Sequence, residues 1–185
     1  MKLLTVLLPF SLCLLSGACA GSPPEGQPAP PAKSEDRLLE GFLEPSAVRE
    51  TPRPPSVPAV LTSVRAASHP GFDRVVFEFQ GGGLPGYRVA YGSSPAHDCG
   101  SGEPNAVAGG ALLEVRLEPA QAHTEAGEAT IPFREHALDL PSLKALERTC
   151  DFEGIVTWAL GVTAAKRFRA TELSGPARLV VDVAH

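Results

Sequence analysis

Lysine, asparagine and tryptophan are nearly missing from this 185-residue chain: 4 lysines stand against 12 arginines, Asn105 is the only asparagine and Trp158 the only tryptophan. Each scarcity excludes something. Asn105 is followed by Ala106-Val107, so the chain has no N-glycosylation sequon. The 16 basic residues are outnumbered by 21 acidic ones, a balance of −5, which leaves no electrostatic footprint for nucleic acid or anionic lipid. The four cysteines include no CxxC and no Cys/His cluster with zinc spacing. No two of His69, His97, His123, His136 and His185 lie three to five residues apart, so no metal and no cofactor is expected. GxSxG does not occur, and YGSSP and LSGP read as turns. Gly81-Gly82-Gly83 lacks the Gly-Lys-Ser/Thr of a phosphate loop and reads as a hairpin connection. The chain is expected not to be an enzyme.

Long apolar runs are also scarce. The clearest one, Leu3–Leu15, follows the basic Lys2 and ends in Ser16-Gly17-Ala18. It is too short to span a bilayer as a stable helix, and a Pro/Gly-rich stretch follows, so it reads as an export signal. Its exit fits two processing chemistries. Ala18-Cys19-Ala20 suits ordinary signal peptidase, which would cut after Ala20 and discard Cys19. Leu15-Ser16-Gly17-Ala18-Cys19 resembles a bacterial lipobox, with Ser16 where Leu is commoner, and cleavage there leaves Cys19 as a lipid-bearing N-terminus. The tether-like sequence that follows favours the lipoprotein, with residues 1–18 as signal. Their removal takes Lys2 away and moves the net charge from −5 to −6.

Ten of the 19 prolines fall in residues 21–58, a composition that buries too little apolar surface to offset its ordering entropy. Residues 19–58 are therefore expected to be an extended tether. Within it, Leu38, Leu39, Phe42 and Leu43 sit at helical spacing in the island 34–50, behind Ser34 as a candidate N-cap. The spacing predicts a short helix at 34–44, ended by Pro45, which either docks onto a partner or its own domain or forms only transiently.

From Ala59 the texture changes to short Val-rich runs bounded by turn residues. Strands are predicted at Leu61–Ala66, Arg74–Phe79, Tyr87–Tyr91, Ala111–Leu117, Gly154–Leu160, Phe168–Leu173 and Arg178–Val183. Leu140–Thr149 carries leucines every three residues and reads either as a helix or as an edge strand. The fold class is all-β, a single sandwich of about seven to eight short strands over 59–185. In an oxidising compartment Cys99 and Cys150 are expected to form a disulfide closing a loop of about 50 residues, worth roughly 4 kcal/mol by loop-closure entropy; two free thiols are the alternative.

DRVVFEF (73–79) and ARLVVDV (177–183) echo each other. Glu78 and Asp182 invite comparison with a glycosidase pair, but each shares a strand face with an Arg four residues earlier, some 13 Å away at about 3.3 Å per residue. If the strands pair antiparallel with residue numbers summing to 256, Arg74 meets Asp182 and Glu78 meets Arg178. Such structural cross-strand pairs contribute about 0.2–1 kcal/mol each. The alternative is that the echo marks related strands in different sheets. His69 and His185 would approach each other if the two strands are neighbours. For ligand binding, Tyr87, Arg88 and Tyr91 flank loop junctions and are the candidates for sugar recognition, unless both tyrosines are ordinary strand residues. Trp158 alternates with Val156 and Leu160 and reads as core.

HPGFDRVVFEFQGG with LPGYRV, GGALLEVRLEPAQAHT, CDFEGIVTWALGV and LSGPARLVVDVAH together resemble the AMIN-like domain of small bacterial lipoproteins, a relative of the AMIN domain. The resemblance covers residues 60–185 and implies an all-β sandwich. It further implies a non-catalytic envelope lipoprotein, anchored to the membrane through its lipid on the periplasmic or surface face, that binds peptidoglycan, another envelope glycan or an envelope protein. The alternative is an accessory or inhibitor module for another exported protein. The HDCGSGEPN loop lies outside the family pattern.

Overall fold

The computed structural model describes residues 37–54, 56–81 and 83–185. The signal, Cys19 and the first part of the tether lie outside them. The described chain forms thirteen strands in order: β1 (Arg49–Thr51), β2 (Ala59–His69), β3 (Phe72–Phe79), β4 (Gly86–Gly92), β5 (Ala96–His97), β6 (Pro104–Asn105), β7 (Ala111–Glu118), β8 (Ala120–Gln121), β9 (Glu135–Ala137), β10 (Leu143–Phe152), β11 (Ile155–Val162), β12 (Phe168–Leu173) and β13 (Arg178–Ala184). Eight of these run to six residues or more and make the sandwich; the others are short edge or loop pairings.

A six-stranded sheet, β1-β4-β7-β11-β10-β9, faces a five-stranded sheet, β12-β13-β3-β2-β8, while β5 and β6 form a separate ribbon. Alternation does the sorting. In β3, Asp73, Val75, Phe77 and Phe79 are buried and the residues between them are half-exposed; this is the period-2 pattern of a strand with one face on a core. Phe77 and Phe79 meet Leu113, Val115, Leu117, Trp158 and Leu160 from the other sheet in one apolar cluster. Trp158 is fully buried between Phe77 and Phe133, with ring centroids 6.2 and 5.8 Å away.

Leu140–Thr149 is not a helix. It falls largely in β10, which pairs with β11 on one side and β9 on the other, so it is not an edge strand either. The three-residue leucine spacing has a local cause: the ladder slips between Leu143 and Ala145, and this irregularity lets Leu143 and Leu146 both face the core. Glu153 and Gly154, both with positive φ, form the two-residue turn into β11.

The tether expected over 19–58 also needs correction at its C-terminal end. Leu43 exchanges backbone hydrogen bonds with Phe168 at 2.6 and 3.1 Å, and Arg49–Thr51 adds to the edge of β4. The chain here covers two strand edges that would otherwise present unpaired backbone groups. Composition alone concealed this, because edge pairing is made by the main chain and tolerates prolines between the paired residues. Of the helix expected at 34–44, the described residues show Arg37 and Leu38 helical and Leu39–Gly41 a turn.

Candidate functional site

The outer face of the five-stranded sheet carries the two echoing strands. β3 and β13 pair antiparallel with Arg74 opposite Asp182, Val76 opposite Val180 and Glu78 opposite Arg178. Arg74 donates Nε and Nη2 to the two oxygens of Asp182 at 2.7 and 2.9 Å, a bidentate fork. Asp182 is 1% exposed. A second guanidinium, Arg169 from β12, reaches the same carboxylate at 2.6 Å and donates to the Glu40 carbonyl at 2.9 Å. Phe42 lies 4.6 Å from the Arg169 guanidinium and closes over it. The other expected pair does not form. Glu78 takes its ion pair from Arg65 of β2, at 3.1 Å, and Arg178 turns to the Pro176 carbonyl. Arg169 was missing from the sequence reading, although its position directly opposite Asp182 follows once the β12–β13 register is known.

At the end of the same sheet, Asp73 is fully buried and links the two sheets. One oxygen accepts the backbone N–H groups of Ser142 and Leu143 at 2.7 and 2.9 Å; the other lies 3.0 Å from His185 Nε2. Burial pushes this carboxyl up, but the two N–H donors, His185 and Ser68 outweigh it and hold it below the ordinary carboxylate value. His69 stacks on Phe72 and His185 turns to Asp73, so both histidines flank the β2–β3 turn with structural partners. These buried acids are tied up, which is the wrong environment for a general acid.

The outer face of the six-stranded sheet is arranged differently. Glu50, Arg88, Arg116 and Thr157 form a row across β1, β4, β7 and β11, with Arg88 directly opposite Arg116. Arg116 donates twice to Glu118, at 3.2 and 2.8 Å. Arg53 reaches the Pro85 carbonyl and Glu172, both at 2.7 Å. Arg88 has no ion pair among the described residues. Glu50, Arg53, Arg88, Arg116 and Glu118 border a cleft of about 260 Å³ with Pro52 and Pro119 in its walls. Gly86 makes the cleft possible: a Cβ there would lie 2.7 Å from the Glu118 carbonyl and 2.9 Å from Arg53 N, so only glycine lets the 51–53 segment cross so near the sheet.

Of the ligand-binding candidates, only Arg88 faces solvent in this cleft. Tyr87 is 4% exposed with its ring in the core, so it cannot offer a flat platform to a sugar. Tyr91 packs edge-on against Phe168, and its hydroxyl both donates to the Lys166 carbonyl and accepts the Lys166 N–H. Its alternation with Tyr87 and Val89 was the signal that all three share the inner face. The residues sequence reasoning missed are Glu50, Arg53, Arg116 and Glu118; they come from distant segments, one of them read as tether.

Cys99 and Cys150 are disulfide-bonded, with Cα atoms 5.2 Å apart. The bond fixes the β5–β6 ribbon over β10, where Cys99 N–H also donates to the Thr149 carbonyl. Gly161 lies beneath the stretch after this ribbon; a Cβ there would collide with the Ala108 carbonyl. Asp98 is held down to about 2 by the Ser101 N–H, then by the Arg134 guanidinium and the Gly100 N–H. On the strand below, Glu147 is pushed up by burial first and by the Glu135 carboxylate next, against the pull of Arg134. Among the described residues no group of three or more His, Cys, Asp and Glu side chains could hold a metal ion.

The two-sheet sandwich ties Asp73 and Asp182 to internal partners and carries a charged cleft on its six-stranded face. The chain belongs to the AMIN-like domain family, whose sequence model matches residues 59–185. Domains of this family are non-catalytic binding modules of envelope and periplasmic proteins. Neither a curated protein nor a solved structure matches the chain.

Proposed function

We propose that this protein is a lipid-anchored module of the bacterial cell envelope whose sandwich binds cell-wall glycan, peptidoglycan foremost. In this reading Cys19 carries the lipid and the proline-rich residues after it hold the domain off the membrane. The observation that carries the binding half is the AMIN-like match over 59–185. The geometry supports it: Asp182, the acid that invited comparison with a glycosidase pair, is committed to two arginines, and Asp73 to backbone amides, so neither is available as a general acid. The accessory-module reading loses its main support, because the 34–50 island that would have met a protein partner packs its residues 42–43 against its own domain.

Two measurements test the two halves. The exported protein, purified in detergent, is expected to co-sediment with purified peptidoglycan; recovery wholly in the supernatant would sink the glycan half. Cys19→Ala is expected to move the protein from the membrane fraction to the soluble envelope fraction, and unchanged attachment would refute lipidation there.

A further inference from the structure

We propose that the cleft beside Gly86 is a binding site for the carboxylate of an acidic sugar, with Arg88 and Arg116 as the paired donors. This deepens the glycan-binding reading and rests on it. Arg88 and Arg116 are a like-charge pair across the ladder. Residues directly opposite across an antiparallel ladder have Cβ atoms roughly 4.5–5.5 Å apart, and like charges in that relation repel. On the opposite sheet Arg74 and Arg169 resolve this with an acid between them, sharing Asp182. Arg88 and Arg116 share none. Arg116 spends its Nε and one Nη on Glu118, while Arg88 keeps its whole fork. Arg88 stands in register between Glu50 and Arg116 with no ion pair among the described residues, so its fork is open to a planar, bidentate anion that Arg116 can help hold.

The charge of the cleft points the same way. Three arginines (53, 88, 116) and two glutamates (50, 118) border the cleft, a net of +1. That balance suits a singly charged carboxylate better than a dianionic phosphate, which would meet both glutamates at close range. The walls of the cleft suit the rest of a sugar. Glu50 and Glu118 are acceptors for hydroxyl groups, and Pro52 and Pro119 supply apolar walls, so the cleft presents donors for a carboxylate and acceptors for hydroxyls within one sugar-sized space of about 260 Å³. A sugar acid carries both on one ring.

The test is titration of the exported protein in detergent with a galacturonate trisaccharide, followed through the arginine Nε–H resonances, with its methyl ester in parallel. The free acid is expected to shift Arg88 and Arg116 saturably and the ester to leave them unmoved. Arg88→Ala is expected to weaken binding about tenfold or more, the effect of losing a charge-assisted contact. Arg88→Lys, which keeps the charge and loses the fork, is expected to remain several-fold weaker than wild type, roughly in line with lost bidentate geometry. Arg65→Ala on the opposite sheet is expected to bind as wild type. Absence of saturable shifts, equal response to the ester, or equal weakening by Arg65→Ala would overturn the site. Peptidoglycan co-sedimentation on the same samples separates the two claims. Retention that survives Arg88→Ala leaves the glycan reading standing without this site. Trisaccharide binding without peptidoglycan retention leaves the site and removes peptidoglycan as its ligand.

Discussion

The two outer faces of the sandwich use arginine in opposite ways. On the five-stranded sheet, Arg74 and Arg169 converge on a carboxylate that is 1% exposed, and Phe42 closes over one of them. On the six-stranded sheet, Arg88 faces Arg116 with no acid between them. Around Asp182 the first face satisfies its own charges and is therefore structural there. The second leaves donors directed outward, at a place where the sheet is held open by the close crossing of residues 51–53 over Gly86. A face of the first kind depends on internal partners for stability, whereas one of the second kind gains a partner only from outside.

The contrast breaks most visibly when the arginines are removed. Arg74→Ala with Arg169→Ala strands Asp182 as an unpaired buried carboxylate, and urea denaturation is expected to show a loss of about 3–5 kcal/mol. Phe42→Ala removes a half-buried ring and its stacking on Arg169; about 1–2 kcal/mol is expected from the partial burial and the cation–π contact. Arg88→Ala on the other face is expected to change stability by no more than about 0.5 kcal/mol, because that side chain makes no ion pair or hydrogen bond among the described residues. A large loss there would mean that Arg88 has a structural partner after all.

Two carboxylates sharpen the same comparison through pH. Asp73, on the five-stranded side, is held below its ordinary value of 3.8, so its contribution is complete above that value and is lost as pH falls through it toward the native value. Glu147, on the six-stranded side, is held above its ordinary value of 4.5, so the native state binds the extra proton and stability falls as pH rises past 4.5. Thermal melts across pH 3–7 are expected to show Asp73→Asn flattening the acid limb. Glu147→Gln is expected to raise Tm slightly at pH 7 and not at pH 4, the smallest effect of the set. The opposite pH dependence in either variant would contradict the assigned environments.

How far the sequence led depended on whether the signal was periodic or long-range. The register of β3 on β13 was legible because Arg, Val and acid alternate at matched spacing in both strands, so one pairing satisfies all three. β10 was obscured by the ladder irregularity near Leu143, which imposes a helix-like spacing on a strand. The role of Arg169 needed the β12–β13 register, and that of Glu50 needed a strand built from a proline-rich stretch whose pairing is purely backbone. The tyrosines mislead when taken one at a time, and their alternation with Val89 places them inside. The cleft itself was illegible, because Glu50, Arg88 and Arg116 meet only through cross-strand pairing.

The central claim, that this is a glycan-binding module working through its six-stranded face, meets its most direct test in co-sedimentation with purified peptidoglycan. Wild type and Arg65→Ala are predicted to pellet alike and Arg88→Ala to stay in the supernatant. Failure of wild type to pellet, or equal retention of all three, would contradict it.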